Sequence, residues 1–139
     1  MQSEIAITTQ PIDLHRPLPG EVRGQAGAVA EFAGLVRGEE DGRPIAALEY
    51  EAYSPMAEKV MRGIVEELER QQPCLFVRVT HRVGWVPVGQ AAIHVVVAAR
   101  HRAAAFAMLA GFMDRLKQDV PIWKRRALSP AEGTALNPR

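Results

Sequence analysis

The alternation of apolar and polar positions divides the chain into short strands and two long helices. Ile5 and Ile7 share one face of a strand over residues 4–8, which Pro11 ends. Pro17, Pro19, Gly20 and Gly24 mark residues 11–27 as a connection with at most a helical turn. Residues 28–37 read as a strand, where Gly34 predicts a bulge or a close backbone approach. A polar loop over residues 38–44 leads to a second strand over 45–53, in which Leu48, Tyr50 and Ala52 alternate with Glu49, Glu51 and Tyr53. These two strands are expected to form a hairpin with a mobile, acidic tip.

Ser54-Pro55 then opens a helix, the serine as N-cap and the proline at the first helical position, where a missing N–H costs nothing. Its stripe is Val60, Ile64 and Leu68, flanked by Ala57, Met61 and Val65, and Pro73 closes it. Residues 75–83 alternate as a half-buried strand, 84–90 turn the chain, and 91–99 return as a mostly apolar strand. Phe106, Leu109, Ala110, Met113 and Leu116 recur at helical spacing, which predicts an amphipathic helix over 103–118 with that stripe buried and Pro121 as its stop. The order β, loop, β, β, α, β, β, α predicts an α+β fold, a mainly antiparallel sheet with helices packed on one face.

Size and charge narrow this picture. At 139 residues the chain is expected to be a single domain over 1–139, with 1–26 as an N-terminal strand and connection and 127–139 as a tail. Seventeen Lys and Arg against sixteen Asp and Glu leave a formal charge of +1, so no global field argues for nucleic acid or an anionic membrane. The longest apolar run, residues 91–99, is broken by His94 and is far shorter than the roughly 20 residues that span a bilayer. Glu4 and Thr8 sit where a signal peptide would be apolar, so a cytoplasmic protein is expected. The one cysteine, Cys74, excludes an internal disulfide and reads as a buried structural thiol; any sulfur chemistry would draw its sulfur from elsewhere. His15, His81, His94 and His101 are scattered without a metal-ligand spacing, and His81 and His94 read as packed or edge residues. Ser3, Ser54 and Ser129 lie in terminal or capping positions unsuited to a catalytic triad.

The remaining chemistry is cationic. On a helical wheel Lys117 lies about 20° from Phe106 and about 40° from Met113, so it borders the expected buried face. Lys124 follows seven residues later, past Pro121, in an extended segment that could bring the two ammonium groups together. Such a pair can bind a carboxylate, act as a base once desolvated, or form a covalent adduct, and the residues alone do not choose. Arg100, His101 and Arg102 crowd a helix start whose free amides favour negative charge. This suits a bound phosphate or carboxylate, or is simply a solvated surface run. Arg37, beside Gly38 at a strand end, is either a second anion contact or a surface arginine.

These pieces resemble a known family, the large catalytic subunit of molybdopterin synthase (MoaE type). The resemblance rests on Gly34-Leu35-Val36-Arg37, on residues 48–57, on His81-Arg82-Val83-Gly84 with Val88-Gly89, and most of all on His101-Arg102-Ala103-Ala104-Ala105-Phe106 and Asp114-Arg115-Leu116-Lys117 followed by Val120-Pro121-Ile122-Trp123-Lys124. It implies an α/β-hammerhead-like fold. It also implies an enzyme that converts cyclic pyranopterin monophosphate (precursor Z) to molybdopterin by installing two dithiolene sulfurs. The donor it implies is a small ubiquitin-like partner (MoaD type) with a C-terminal Gly-Gly thiocarboxylate, bound at each end of a homodimer to make a heterotetramer, with no resident cofactor or metal. On the same ground Lys117 and Lys124 are the expected catalytic residues. Leu35, Val36, Arg37, His101, Arg102, Arg125 and Arg126 are the expected substrate contacts, with His101 and Arg102 acting across the subunit boundary. The chain departs from the family pattern at Arg126, where an acidic residue is expected, at Arg100, and in its tail over 127–139. A scaffold that binds a phosphorylated ligand or ubiquitin-like partner without turnover is the alternative reading.

Overall fold

The computed structural model describes residues 1–136. In chain order the elements are β1 (Gln2–Thr8), α1 (Gly20–Arg23), β2 (Ala28–Leu35), β3 (Glu39–Glu40), β4 (Arg43–Pro44), β5 (Ala47–Ala52), α2 (Ser54–Gln71), β6 (Phe76–Arg82), β7 (Gly84–Pro87), β8 (Ala91–Ala99), α3 (Arg102–Asp119), β9 (Ile122–Leu128) and α4 (Pro130–Leu136). The expected α+β class holds. β1, β6, β8 and β2 form one sheet in that order, antiparallel except for the parallel β1–β6 pair. A second, antiparallel sheet has the order β7-β5-β9. No helix among the described residues is long and apolar enough to cross a membrane.

Helices α2 and α3 pack against each other and on one face of the four-stranded sheet. Their apolar stripes meet alternate residues of the strands: Val77 and Val79 from β6, Ile93, Val95 and Val97 from β8, with Met61, Ile64, Val65, Met108 and Phe112 above them. The opposite sheet face is also covered, which makes β6 more buried than its alternation predicts. The connection before β2 lays Leu18 and Val22 on Phe76 and Ala98. It also surrounds Arg78, whose guanidinium donates to Glu4 (2.8 Å) and to the carbonyls of Pro17 (3.1 Å) and Arg16 (3.4 Å). A buried cation is tolerable when its donors are satisfied in this way.

Several local expectations are corrected. The strands around the polar loop do not form a hairpin: β2 pairs with β8, whereas β5 pairs with β7 and β9. The loop closes on itself instead, through β3–β4 and a turn in which Asp41 (φ 52°) and Gly42 (φ 77°) both take the left-handed conformation that suits a two-residue hairpin. Helix α2 begins at Ser54 with Tyr53 as N-cap, one residue earlier than expected, because the Tyr53 carbonyl accepts the first helical bond, from the Ala57 N–H at 2.8 Å. The buried stripe of α3 is Ala105, Met108 and Phe112, with Leu109, Met113 and Leu116 at its margin, so Phe106 and Ala110 are exposed. Residues 84–87 of the expected turn form β7, with Val86 fully buried. Of the expected tail, 127–128 complete β9 and 130–136 form α4, while 137–139 lie outside the described residues.

Gly34 is both things its sequence position allows. The β2–β8 register shifts between Gly34 and Leu35, and a Cβ at Gly34 would stand 2.7 Å from the Ile93 side chain. The rotated stripe of α3 is tested by Phe112→Ala, which removes a fully buried ring: equilibrium urea unfolding is expected to report a loss of roughly 3–5 kcal/mol.

Candidate functional site

The end of α3 and the start of β9 wall an open cleft of about 340 Å³, near the lower bound of roughly 300–1,000 Å³ common for small-molecule sites. Phe32 and Leu35 of β2, Ile93 of β8, Met113 and Leu116 of α3 and Ile122 of β9 give it apolar walls. Tyr50, His81, Lys117 and Lys124 supply the polar groups. The two lysines therefore share one cleft although a proline and a change of secondary structure separate them. Ile122 and Lys124 reach it because β9 runs antiparallel to β5, with Tyr50 opposite Lys124 and Ala52 opposite Ile122.

A bulge between Glu49 and Tyr50 decides which β9 cations belong to the cleft. Glu49 stands opposite Arg126 and Tyr50 opposite Lys124, leaving Arg125 as the extra residue. Neighbouring residues of a strand point to opposite faces, so Lys124 goes with Tyr50 and Arg126 goes with Glu49. In a regular strand the two cations would share a face. Arg126 donates to Glu49 at 2.8 Å and lies over the Trp85 ring at 5.0 Å. Arg125 sits 3.9 Å from Glu49 and 3.8 Å from Glu51. Neither lines the cleft, and Arg126 finds its acidic partner on β5.

The other expected substrate contacts divide. Leu35 lines the cleft, whereas the Val36 side chain is buried with Ile45, Leu48, Val86 and Ala92. Arg37 is exposed beside a separate depression formed with Gly38, Glu39, Asp41 and Gly42. His101 is the N-cap of α3 without a side-chain cap bond, Arg102 is the first helical residue, and both are exposed. At about 1.5 Å per residue the helix sets His101 roughly 24 Å from Lys117. One chain therefore cannot bring both to one cleft. Arg100 is used locally, donating to Gln25 at 3.2 Å.

Tyr50 and His81 are site residues that pattern reading placed in the core or at an edge. Their rings meet edge to face at 5.5 Å between centroids. Burial pushes the Tyr50 phenol up, opposed by the Lys124 ammonium and reinforced by Glu40. Burial also holds the His81 imidazole below its ordinary 6.5, opposed by the bond from Nδ1 to the Arg82 carbonyl, 2.9 Å. That carbonyl can only accept, so Nδ1 carries the hydrogen and Nε2 keeps its lone pair. Tyr50 joins the site through the pairing of β5 with β9, and His81 through its place on β6 opposite Ile93, pairings that no local pattern records. His94 is a packed residue as expected, paired with Glu31. Cys74 is also as expected: burial raises its thiol to about 11, and it donates to the Gln72 carbonyl. No group of three metal-ligating side chains occurs among the described residues.

The sequence model of the family described as MoaE protein matches residues 7–119 of this chain. A molybdopterin synthase catalytic subunit of Bacillus subtilis is 36% identical over 126 residues, covering 91% of this chain and 80% of that one. The human protein of the same name is 41% identical over 99 residues, 71% of this chain and 53% of that one, so the chain spans about half the length of that relative. The solved structure of a molybdopterin biosynthesis MoaE protein from Burkholderia ambifaria superposes with a TM-score of 0.75 at 32% identity, covering 97% of this chain and 96% of that one.

The depressed imidazole has a measurable consequence. Above the ordinary value His81 is neutral both folded and unfolded; as pH falls below it the unfolded chain takes up a proton that the folded chain refuses, so stability is lost on acidification towards the depressed value. Urea midpoints between about pH 7.5 and about pH 5 should fall less steeply in His81→Gln than in the parent. Equal slopes would contradict the depression of the buried ring.

Proposed function

The chain belongs to the MoaE protein family, and from that premise we propose that it is the catalytic subunit of a cytoplasmic molybdopterin synthase. In this reading it transfers sulfur from the thiocarboxylated C-terminus of a small ubiquitin-like partner to cyclic pyranopterin monophosphate, forming the dithiolene of molybdopterin. The observation that carries the reading is that Lys117 and Lys124, from different elements, line one cleft with apolar walls. An ammonium group there offsets the charge of an incoming thiocarboxylate and directs its sulfur. The second lysine serves proton transfer or transient covalent attachment of the substrate. The apolar walls suit the flat face of a pterin and an extended peptide terminus ending in glycines, which needs little width. Each sulfur delivered leaves the partner with an ordinary carboxylate, so two loaded partners are consumed per dithiolene, and no resident cofactor enters the scheme.

The working unit is a homodimer, with one partner at each end of a heterotetramer. Two features support it. The length of α3 keeps His101 and Arg102 away from their own chain's lysines, so a second chain is needed to bring a phosphate-binding pair to the cleft. In addition, β2 is an edge strand, and Val29 on it and Phe106 on α3 are exposed apolar side chains outside the cleft, of the kind that subunits cover. Leu35 touches substrate in this reading, and Arg37 supplies a further anion contact from the strand end.

In an assay reconstituted with precursor Z and thiocarboxylated partner, Lys117→Ala and Lys124→Ala should each lower product formation by at least about 10²-fold while the dimer stays folded. Full activity in both rules the reading out; binding without turnover in the parent protein favours a scaffold. A purified mixed dimer of His101→Ala and Lys117→Ala chains should regain roughly half the parental activity, because one of its two sites is then intact. Activity no higher than that of either homodimeric variant argues against a shared site.

A further inference from the structure

The acidic loop that precedes β4 sends one side chain to Lys124, at the edge of the cleft. Of Glu39, Glu40 and Asp41, only Glu40 is partly buried, its side chain 27% exposed, and its Oε1 accepts from Lys124 Nζ at 3.2 Å across 84 residues of sequence. Its position is well fixed. Glu40 and Arg43 are the closing pair of β3–β4, the left-handed Asp41-Gly42 turn sets their register, and the Ile45 N–H bonds to the Gly38 carbonyl at 3.1 Å at the base. On the other side Lys124 is held by its backbone pairing to Tyr50, and its side chain is half exposed.

We propose that Glu40 is a positioning residue for Lys124, tethering its ammonium group at the edge of the cleft and making the β3–β4 hairpin a working part of the site. This deepens the reading above and rests on it, since it matters only if Lys124 takes part in the reaction. As a surface ion pair the contact adds little to stability. As an orienting contact it matters more, because misplacing a reacting group by about 1 Å can cost on the order of 10²-fold in rate. Without Glu40 the long lysine side chain has the solvent to explore. With it, Nζ is tethered to the hairpin, close enough to Tyr50 for the phenol to feel both charges. Lys117 and His81 complete the charged and titratable groups lining the same cleft.

The test compares Glu40→Ala, Glu40→Gln and Lys124→Ala with the parent in the reconstituted assay, with kcat and KM for the pterin measured separately. Glu40→Ala is expected to lower kcat about tenfold while changing KM by less than about twofold and leaving the melting temperature unchanged. Glu40→Gln keeps a carbonyl oxygen at the same reach and should recover most of the loss. Should Lys124→Ala be inactive while Glu40→Ala keeps the parental kcat, the positioning role fails and the reading of the cleft survives. Equal losses in Glu40→Ala and Glu40→Gln also overturn positioning by the oxygen. Full activity in Lys124→Ala would instead remove the premise.

Discussion

The antiparallel pairing of β9 with β5 is the interaction on which the site depends. Helix α3 ends where Pro121 cannot continue it, and the chain is caught at once: the Pro121 carbonyl accepts from Tyr53, and the Ile122 N–H bonds back to Val120. Those bonds fix the angle at which β9 leaves the helix, and the register with β5 then sets every side chain along it. Lys117 is placed by the packing of α3 on the four-stranded sheet, and Lys124 by the second sheet. The cleft is the gap between these two bodies, which is why its walls come from β2, β8, α3 and β9 together.

Much of the fold was legible because the major elements obey their own periodicities. Both long helices and every strand of the four-stranded sheet follow from alternation, helical spacing and proline punctuation, with end errors of a few residues. What misled was partnership. Residues 28–37 and 45–53 look like a hairpin because each is a good strand and a polar loop joins them, yet nothing local states that β8 and β9 compete for their edges. Phe106 shows a related limit: a phenylalanine in an apolar helix reads as core, but Ala105, Met108 and Phe112 give a denser face to the sheet, and the exposed ring was legible only as hydrophobic.

The site divides in the same way. Lys117 stood out because a cation at the margin of an apolar stripe borders buried space, and Lys124 because it follows just past a proline, within reach of that margin. The pair at His101 and Arg102 stood out because positive charge at a helix start is unfavourable without a ligand. Tyr50, His81 and Glu40 were hidden, since each is ordinary in its own segment and acquires meaning only across strand pairs or a loop closure. Arg125 and Arg126 show the converse, two conspicuous cations that carboxylates of β5 already occupy.

The bulge beside Tyr50 gives strand β9 a parity. Facing direction between the proline and the lysine is counted modulo two, so that stretch keeps the lysine inward through even changes of length and not through odd ones. Removing one residue between the proline and the lysine, with the bonds at Pro121 kept, would bring an arginine opposite Tyr50 in the lysine's place. Homologous chains that differ in length at this point should therefore be aligned by the strand facing the cleft rather than by the nearest matching cation.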